Sequence, residues 1–319
     1  MTEPAAADEA AVLADRAAQG DRGALARVLS LVERGGDDAH VALTALGAGT
    51  ARARVVGITG APGAGKSTLT AALVGELRGA GARVAVLAVD PSSPFSGGAI
   101  LGDRIRMQEH EGDPEVYLRS MASRSHLGGL ARATPQAVRV LDRAGFDPVL
   151  VETVGVGQSE VAVAATADTT VIVVNPGWGD AVQAAKAGLL EVGDVFVVNK
   201  ADRPGATDAV RDLESVLGPV RSGGWRPPVL TTVATEGRGI DGLAGALADH
   251  WAYLHDSGEV TNRRERRVRS EVRGMVLEAL AARAEGICEG PRFDSVVSQV
   301  ASGSLDPYTA ARDLLGSDR

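Results

Sequence analysis

From Gly60 to Ser67 the chain reads GAPGAGKS, and from Asn199 to Asp202 it reads NKAD. The first string has the chemistry of a phosphate cradle. Gly60, Gly63 and Gly65 let the backbone turn its N–H groups inward around phosphate oxygens, with Ala61, Pro62 and Ala64 filling the turn between them. A helix starting directly after the loop adds the partial positive charge of its N-terminus. Lys66 supplies a full charge to the β- and γ-phosphates, Ser67 offers a hydroxyl to Mg²⁺, and Thr68 is placed to donate to the α-phosphate. The second string selects a base. Asp202 can accept from the N1–H and exocyclic amine of guanine, whereas adenine has neither donor there, so the wrong base leaves buried polar groups unpaired. Lys200 can lie along the base and Asn199 can tie it to the phosphate loop.

Mg²⁺ prefers oxygen ligands and keeps several waters, so one or two carboxylates suffice beside the serine and the phosphates. Three acids qualify: Asp90 after the run RVAVLAV, Glu152 near the end of PVLVET, and Asp103 within SGGAILGDR. The plainer alternative for each is a helix cap or a surface acid, and it has more weight for Asp103 than for Asp90 or Glu152. A carboxylate at the C-terminal tip of a parallel strand, however, lies where open α/β sheets bind ligands.

The elements that must position these groups can be read from apolar patterning. The runs RVVGIT, RVAVLAV, VYLRSM, PVLVET, TTVIVV, DVFVVN and PVLTTV are Val/Ile-rich and separated by longer amphipathic stretches. That alternation predicts an α/β fold, a mostly parallel sheet covered by helices. GAPGAGKS follows the first run and leads into LTAALVGEL, the strand–loop–helix context that a phosphate loop requires. Leu13, Leu25, Val28, Leu29 and Val32 recur at helical spacing and predict an N-terminal helical extension over 1–53. The nucleotide domain is expected over 54–257 and a helical arm over 258–319. In that arm Asn262 followed by Glu265 suggests a helix start, Val268, Val272, Val276 and Leu280 form one stripe, and shorter helices fall near 292–301 and 306–315.

Bulk properties narrow the class. A chain of 319 residues can bury a large core without disulfides, and its single cysteine, Cys288, with five scattered histidines, provides neither a disulfide nor a Cys-rich metal centre within one chain. The formal net charge of −8 argues against a broad grip on nucleic acid or anionic membrane. No apolar run approaches the roughly 20 residues of a membrane span. The start MTEPAAADEA resembles neither a secretory signal nor an Arg-rich transit peptide, so a cytoplasmic location is expected.

Beyond these strings the sequence resembles the MeaB-type GTPases, also called ArgK or MMAA proteins, of the G3E (SIMIBI-type) group of P-loop GTPases. The likeness rests on VLAVDPSSPFSGGAILGDRIRM (86–107), SRSHLGGLARAT (123–134), VETVGVGQSE (151–160) and the phosphate-loop and NKAD segments. The resemblance implies a GTPase that chaperones an adenosylcobalamin-dependent acyl-CoA mutase, methylmalonyl-CoA mutase foremost, with the B12 cofactor held by that partner. It also implies that Ser67, Asp90, Asp103 and Glu152 are the Mg²⁺ and switch acids, with Lys66, Asp103 and Glu152 serving hydrolysis. Val233, Ala234 and Thr235 fall where the family usually has Ser-Ala-Leu against the base, with valine in place of the serine. PGWGDAVQAAK (176–186) resembles an additional switch loop, with Asp180 and Lys186 in matching positions and Trp178 replacing a small residue. No arginine finger is evident, so slow, partner-stimulated turnover is implied, with Arg104, Arg106 or Lys186 as charge-compensating candidates.

Three rival readings fit less well. A metal-inserting GTPase of the same group usually carries Cys or His clusters, and His110 and His126 are not at ligand spacing. A kinase serving amino-acid transport is opposed by NKAD. A nucleic-acid module built on RRERRVR (263–269) lacks interleaved aromatics, and a solvated or dimer-bridging face is the plainer reading of that run. The apolar stripe beside it suggests a homodimer.

Overall fold

A computed structural model describes residues 4–47, 49, 52–91, 110, 112–123, 129–153, 159–177, 189–218 and 224–316. The chain divides into two compact units, Met1–Arg267 and Val268–Arg319.

The larger unit opens with helices α1 (Pro4–Ala18), α2 (Arg22–Arg34) and α3 (Asp37–Ala45). Asp21 caps α2 by accepting from the Ala24 N–H at 3.0 Å, and this bond with the Arg16 guanidinium holds its carboxyl below the usual range. Among the described residues seven strands follow: β1 (Val55–Gly60), β2 (Val84–Pro91), β3 (Val116–Ser123), β4 (Val149–Thr153), β5 (Thr169–Val174), β6 (Val195–Asn199) and β7 (Val229–Thr232). All seven apolar runs read from the sequence are strands. They form one sheet in the order β3-β2-β4-β1-β5-β6-β7, and every strand pair is parallel. Helices α4 (Lys66–Gly79), α5 (Gly129–Arg143), α6 (Ser159–Thr166), α7 (Leu189–Val192), α8 (Ala206–Leu217) and α9 (Ile240–Asp256) connect or cover the strands.

Side chains alternate between the two faces of a strand, so each central strand feeds two cores. Val55, Leu87, Val149 and Val151 pack on one face with Leu13, Leu25, Val28 and Leu29 of α1 and α2. Val56, Ile58, Val86 and Leu150 face the other way, against Leu69 and Leu73 of α4 and Leu243 of α9. The N-terminal extension is therefore a layer of the sheet's own core. β1 is central, with β4 on one side and β5 on the other, and its C-terminal end is where an open α/β sheet forms its ligand crevice.

A long helix, α10 (Glu259–Ile287), runs from the larger unit into the smaller one, which is completed by α11 (Pro291–Ala301) and α12 (Pro307–Gly316). Within the smaller unit Ile287, Phe293, Val296, Val300, Ala310 and Leu314 line an apolar cavity of about 480 Å³. Val272, Val276 and Leu280 are each more than half exposed along one stripe of α10.

Candidate nucleotide site

β1 delivers the chain into the loop at Gly60, and α4 carries it away from Lys66. Two glycines are needed for close approach. Gly60 has φ 134°, and a Cβ there would lie 2.0 Å from the carbonyl oxygen of Val173 on β5; Gly65 has φ 89°, and its Cβ would lie 2.6 Å from Asn199 Nδ2. Lys66 is buried, and its Nζ donates to the carbonyls of Gly60 (2.9 Å) and Ala61 (3.0 Å), which holds the ammonium within the loop. Ser67, also buried, donates from Oγ to Oε1 of Glu152 at 2.6 Å. Glu152 is fully buried in β4. A hydroxyl and a carboxylate oxygen side by side at the end of the sheet are a donor pair that suits a hard cation such as Mg²⁺.

NKAD closes on the same loop from β6. Asn199 Nδ2 donates to the carbonyl of Ala64 at 2.9 Å, and Lys200 Nζ donates to that of Gly63 at 2.7 Å. Lys200 takes a left-handed backbone, φ 60°, which is uncommon for a residue with a side chain and marks a constrained position. Asp202 is exposed two residues on. The Asn199 amide is oriented from behind: its Oδ1 accepts from Thr232 Oγ1 (3.0 Å) and from the Ala234 N–H (3.2 Å). Val233 and Ala234 are buried and Thr235 is exposed, so the VAT segment meets NKAD through its backbone.

A family profile described as "Methylmalonyl Co-A mutase-associated GTPase MeaB" matches residues 25–288. The chain belongs to the MeaB family. Among relatives, a Pyrococcus abyssi protein named as a candidate GTPase is 46% identical over 307 residues, covering 95% of each chain. GTPase ArgK of Escherichia coli is 37% identical over 317 residues, 94% of this chain and 93% of that one. The mitochondrial methylmalonic aciduria type A homolog of Caenorhabditis elegans is 32% identical, covering 82% of this chain and 67% of its own. A crystal structure titled LAO/AO transport system kinase superposes with a TM-score of 0.70 at 30% identity, covering 99% of this chain and 98% of that one. The fold is thus that of the P-loop GTPases.

In this MeaB-family chain the phosphate loop, Glu152 and NKAD are brought together, while other expected groups lie outside the described residues. Asp90 is the last residue but one of β2, but its side chain is not among those described; Asp103, Arg104, Arg106, Trp178, Asp180 and Lys186 fall wholly outside. Thr232 was not singled out from the sequence. Its signal is the second threonine of TTVAT, at the end of β7 and next to the segment that meets the base motif.

Three arginines of the basic run 263–269 depart from the expected solvated or dimer-bridging face. Asp168 and Asp194 precede β5 and β6, at the sheet edge remote from the loop, and both are buried. Arg263 forms a two-pronged contact with Asp194 at 2.8 and 2.9 Å, and Arg267 Nη2 meets Asp168 at 2.6 Å, with Arg264 at 3.4 Å. Asp168 also accepts from the Val55 N–H at 3.0 Å, and Asp194 from the Thr170 N–H at 2.9 Å. Arg263, Arg264 and Arg267 therefore neutralise carboxylates that cap strand starts, while Arg266 and Arg269 of the same run are exposed. His250 is buried in the same cluster, 2.8 Å from Thr169 Oγ1 and 3.4 Å from Asp194 Oδ1, and burial pushes its imidazole down to about 4 despite the nearby carboxylate.

Proposed function

We propose that this MeaB-family chain is a GTP-hydrolysing switch that chaperones an adenosylcobalamin-dependent acyl-CoA mutase, methylmalonyl-CoA mutase in the first instance. It would gate loading of the B12 cofactor and protect or reactivate the mutase. The observation that carries the GTPase reading is the direct contact of Asn199 and Lys200 with the carbonyls of Ala64 and Gly63, which joins base selection to phosphate binding in one site. The family description, naming a mutase-associated GTPase, supports the choice of partner.

In this reading the N–H groups of Gly60–Gly65 and the Lys66 ammonium hold the β- and γ-phosphates, Thr68 reaches the α-phosphate, Asp202 pairs with guanine, and Val233–Thr235 border the base. Ser67 and Glu152, with Asp90 and Asp103, are the residues that would hold Mg²⁺, which neutralises charge on the phosphates. Glu152 orients water near the γ-phosphate. Charge compensation completing the transition state is assigned to the partner or to the segments carrying Arg104, Arg106 and Lys186, which makes intrinsic turnover slow. Asp180 and Lys186 belong to the loop that the mutase reads. Adenosylcobalamin stays with the mutase. The nucleotide domain is assigned to 54–257, with 1–53 as a supporting extension and 258–319 as a dimerisation arm. The exposed stripe Val272, Val276 and Leu280 supports a homodimer. None of the described helices is long and apolar enough to cross a membrane, and a cytoplasmic site of action is proposed.

The test is a pull-down with the chain loaded with a non-hydrolysable GTP analogue or with GDP. Recovery of a B12-dependent mutase in a nucleotide-dependent manner is expected. A non-mutase as the sole specific partner would overturn the chaperone role and leave the GTPase reading standing.

A further inference from the structure

Two buried hydroxyls stand directly behind the site. Thr59 is the residue before Gly60, and Thr153 is the residue after Glu152. Both are completely buried, and Thr153 Oγ1 donates to Thr59 Oγ1 at 2.8 Å. In the β1–β4 pairing Ile58 is opposite Glu152, so the threonines form the next rung at the tips of the two central strands. Successive side chains of a strand point to opposite faces, so this contact lies on the other side of the sheet from the Glu152–Ser67 bond. The tip of β4 is therefore fastened twice by consecutive residues. Glu152 ties it to the first turn of α4, and Thr153 ties it to the root of the phosphate loop. The first tie uses atoms that the proposed cation must share, whereas the second is independent of it.

We propose that Thr59 and Thr153 are positioning residues for GTP hydrolysis, their hydrogen bond fixing the Glu152 carboxylate relative to the phosphate loop. The proposal rests on the GTPase reading above. In that reaction a water oxygen bonds to the γ-phosphorus as the bond to the GDP oxygen breaks, and the water's protons pass to phosphate and solvent. The threonines act on this step through Glu152, whose placement sets the geometry of attack. They have little effect on nucleotide binding, because the cradle's own N–H groups and Lys66 do not depend on them.

The discriminating experiment compares Thr59→Val, Thr153→Val, the double Thr59→Val/Thr153→Val variant and Thr153→Ser by urea unfolding, GDP affinity and single-turnover GTP hydrolysis. Each single valine variant leaves one buried hydroxyl without its partner and is destabilised, whereas the double variant removes both and regains much of that stability. Because misplacement of about 1 Å costs as much as 100-fold in rate, all three valine variants are expected to lose about tenfold in hydrolysis rate with GDP affinity unchanged. Thr153→Ser is expected to keep the wild-type rate. A double variant that recovers the rate along with the stability, or a serine variant as slow as the valine one, would overturn the proposal and leave the pair a purely structural contact. Wild-type protein that neither binds GDP nor hydrolyses GTP would instead sink the reading of the site itself, and the positioning role with it.

Discussion

At the scale of single residues, the base motif makes the sharpest prediction. Asp202 stands on the loop that Asn199 and Lys200 fasten to the phosphate cradle, and its carboxylate has the two acceptors that guanine requires. Asp202→Asn replaces one acceptor by an N–H donor facing the guanine amine, so GTP affinity should fall about 100-fold while xanthosine triphosphate, with a carbonyl at that position, gains. Competition against a fluorescent GDP analogue measures both, and unchanged guanine preference would remove Asp202 from the base site. A second residue-scale prediction concerns His250. Its folded pKa of about 4 lies below the ordinary value of 6.5, so between these values the unfolded chain binds a proton that the folded chain excludes. Stability from this group is therefore fully present above about pH 6.5 and is lost as pH falls toward 4, by on the order of 3 kcal/mol in total. Urea midpoints across that range should show the loss in wild type and a flatter profile in His250→Gln. Much at this scale was legible beforehand, because Lys66, Ser67 and Asn199 have few other reasons to follow a glycine loop or end a buried strand. Thr232 was not, since a threonine beside NKAD's neighbour carries no mark until β7 places it against Asn199.

At the scale of elements, the strands were readable because burial on both faces demands continuous apolar runs, and each of the seven runs became a strand. The arginine cluster was opaque for the opposite reason. A basic stretch on a helix looks alike whether its charges are solvated or paired, and the two acids it neutralises lie about 70 to 100 residues earlier in the chain, at Asp194 and Asp168. That cluster fastens the first turns of α10 to the starts of β5 and β6. Removing one partner of a buried ion pair leaves uncompensated charge, so Asp168→Ala, which takes the carboxylate from Arg267 and the acceptor from the Val55 N–H, should cost about 3 kcal/mol or more. Chemical denaturation would register this; a loss below about 1 kcal/mol, the scale of a surface pair, would show that the carboxylate is not a structural cap.

At the scale of the whole molecule, the chain carries a nucleotide site on a parallel sheet and a separate helical unit with exposed apolar side chains. Val276→Glu with Leu280→Glu places two charges on the stripe of α10, and light scattering at micromolar concentration is expected to give a dimer for wild type and a monomer for this variant. A monomeric wild type would refute the dimerisation arm without touching the nucleotide site. The central claim is that the loop Gly60–Ser67, closed by Asn199 and Lys200, performs guanine-nucleotide hydrolysis. It is tested most directly by phosphate release from GTP and from ATP in the presence of Mg²⁺, using purified wild-type and Lys66→Ala protein. Slow release from GTP is expected, with little from ATP and a loss of about 100-fold or more in Lys66→Ala, the cost of removing one preorganised charge from a phosphoryl-transfer site. GTP hydrolysis that persists at the wild-type rate in Lys66→Ala would contradict it.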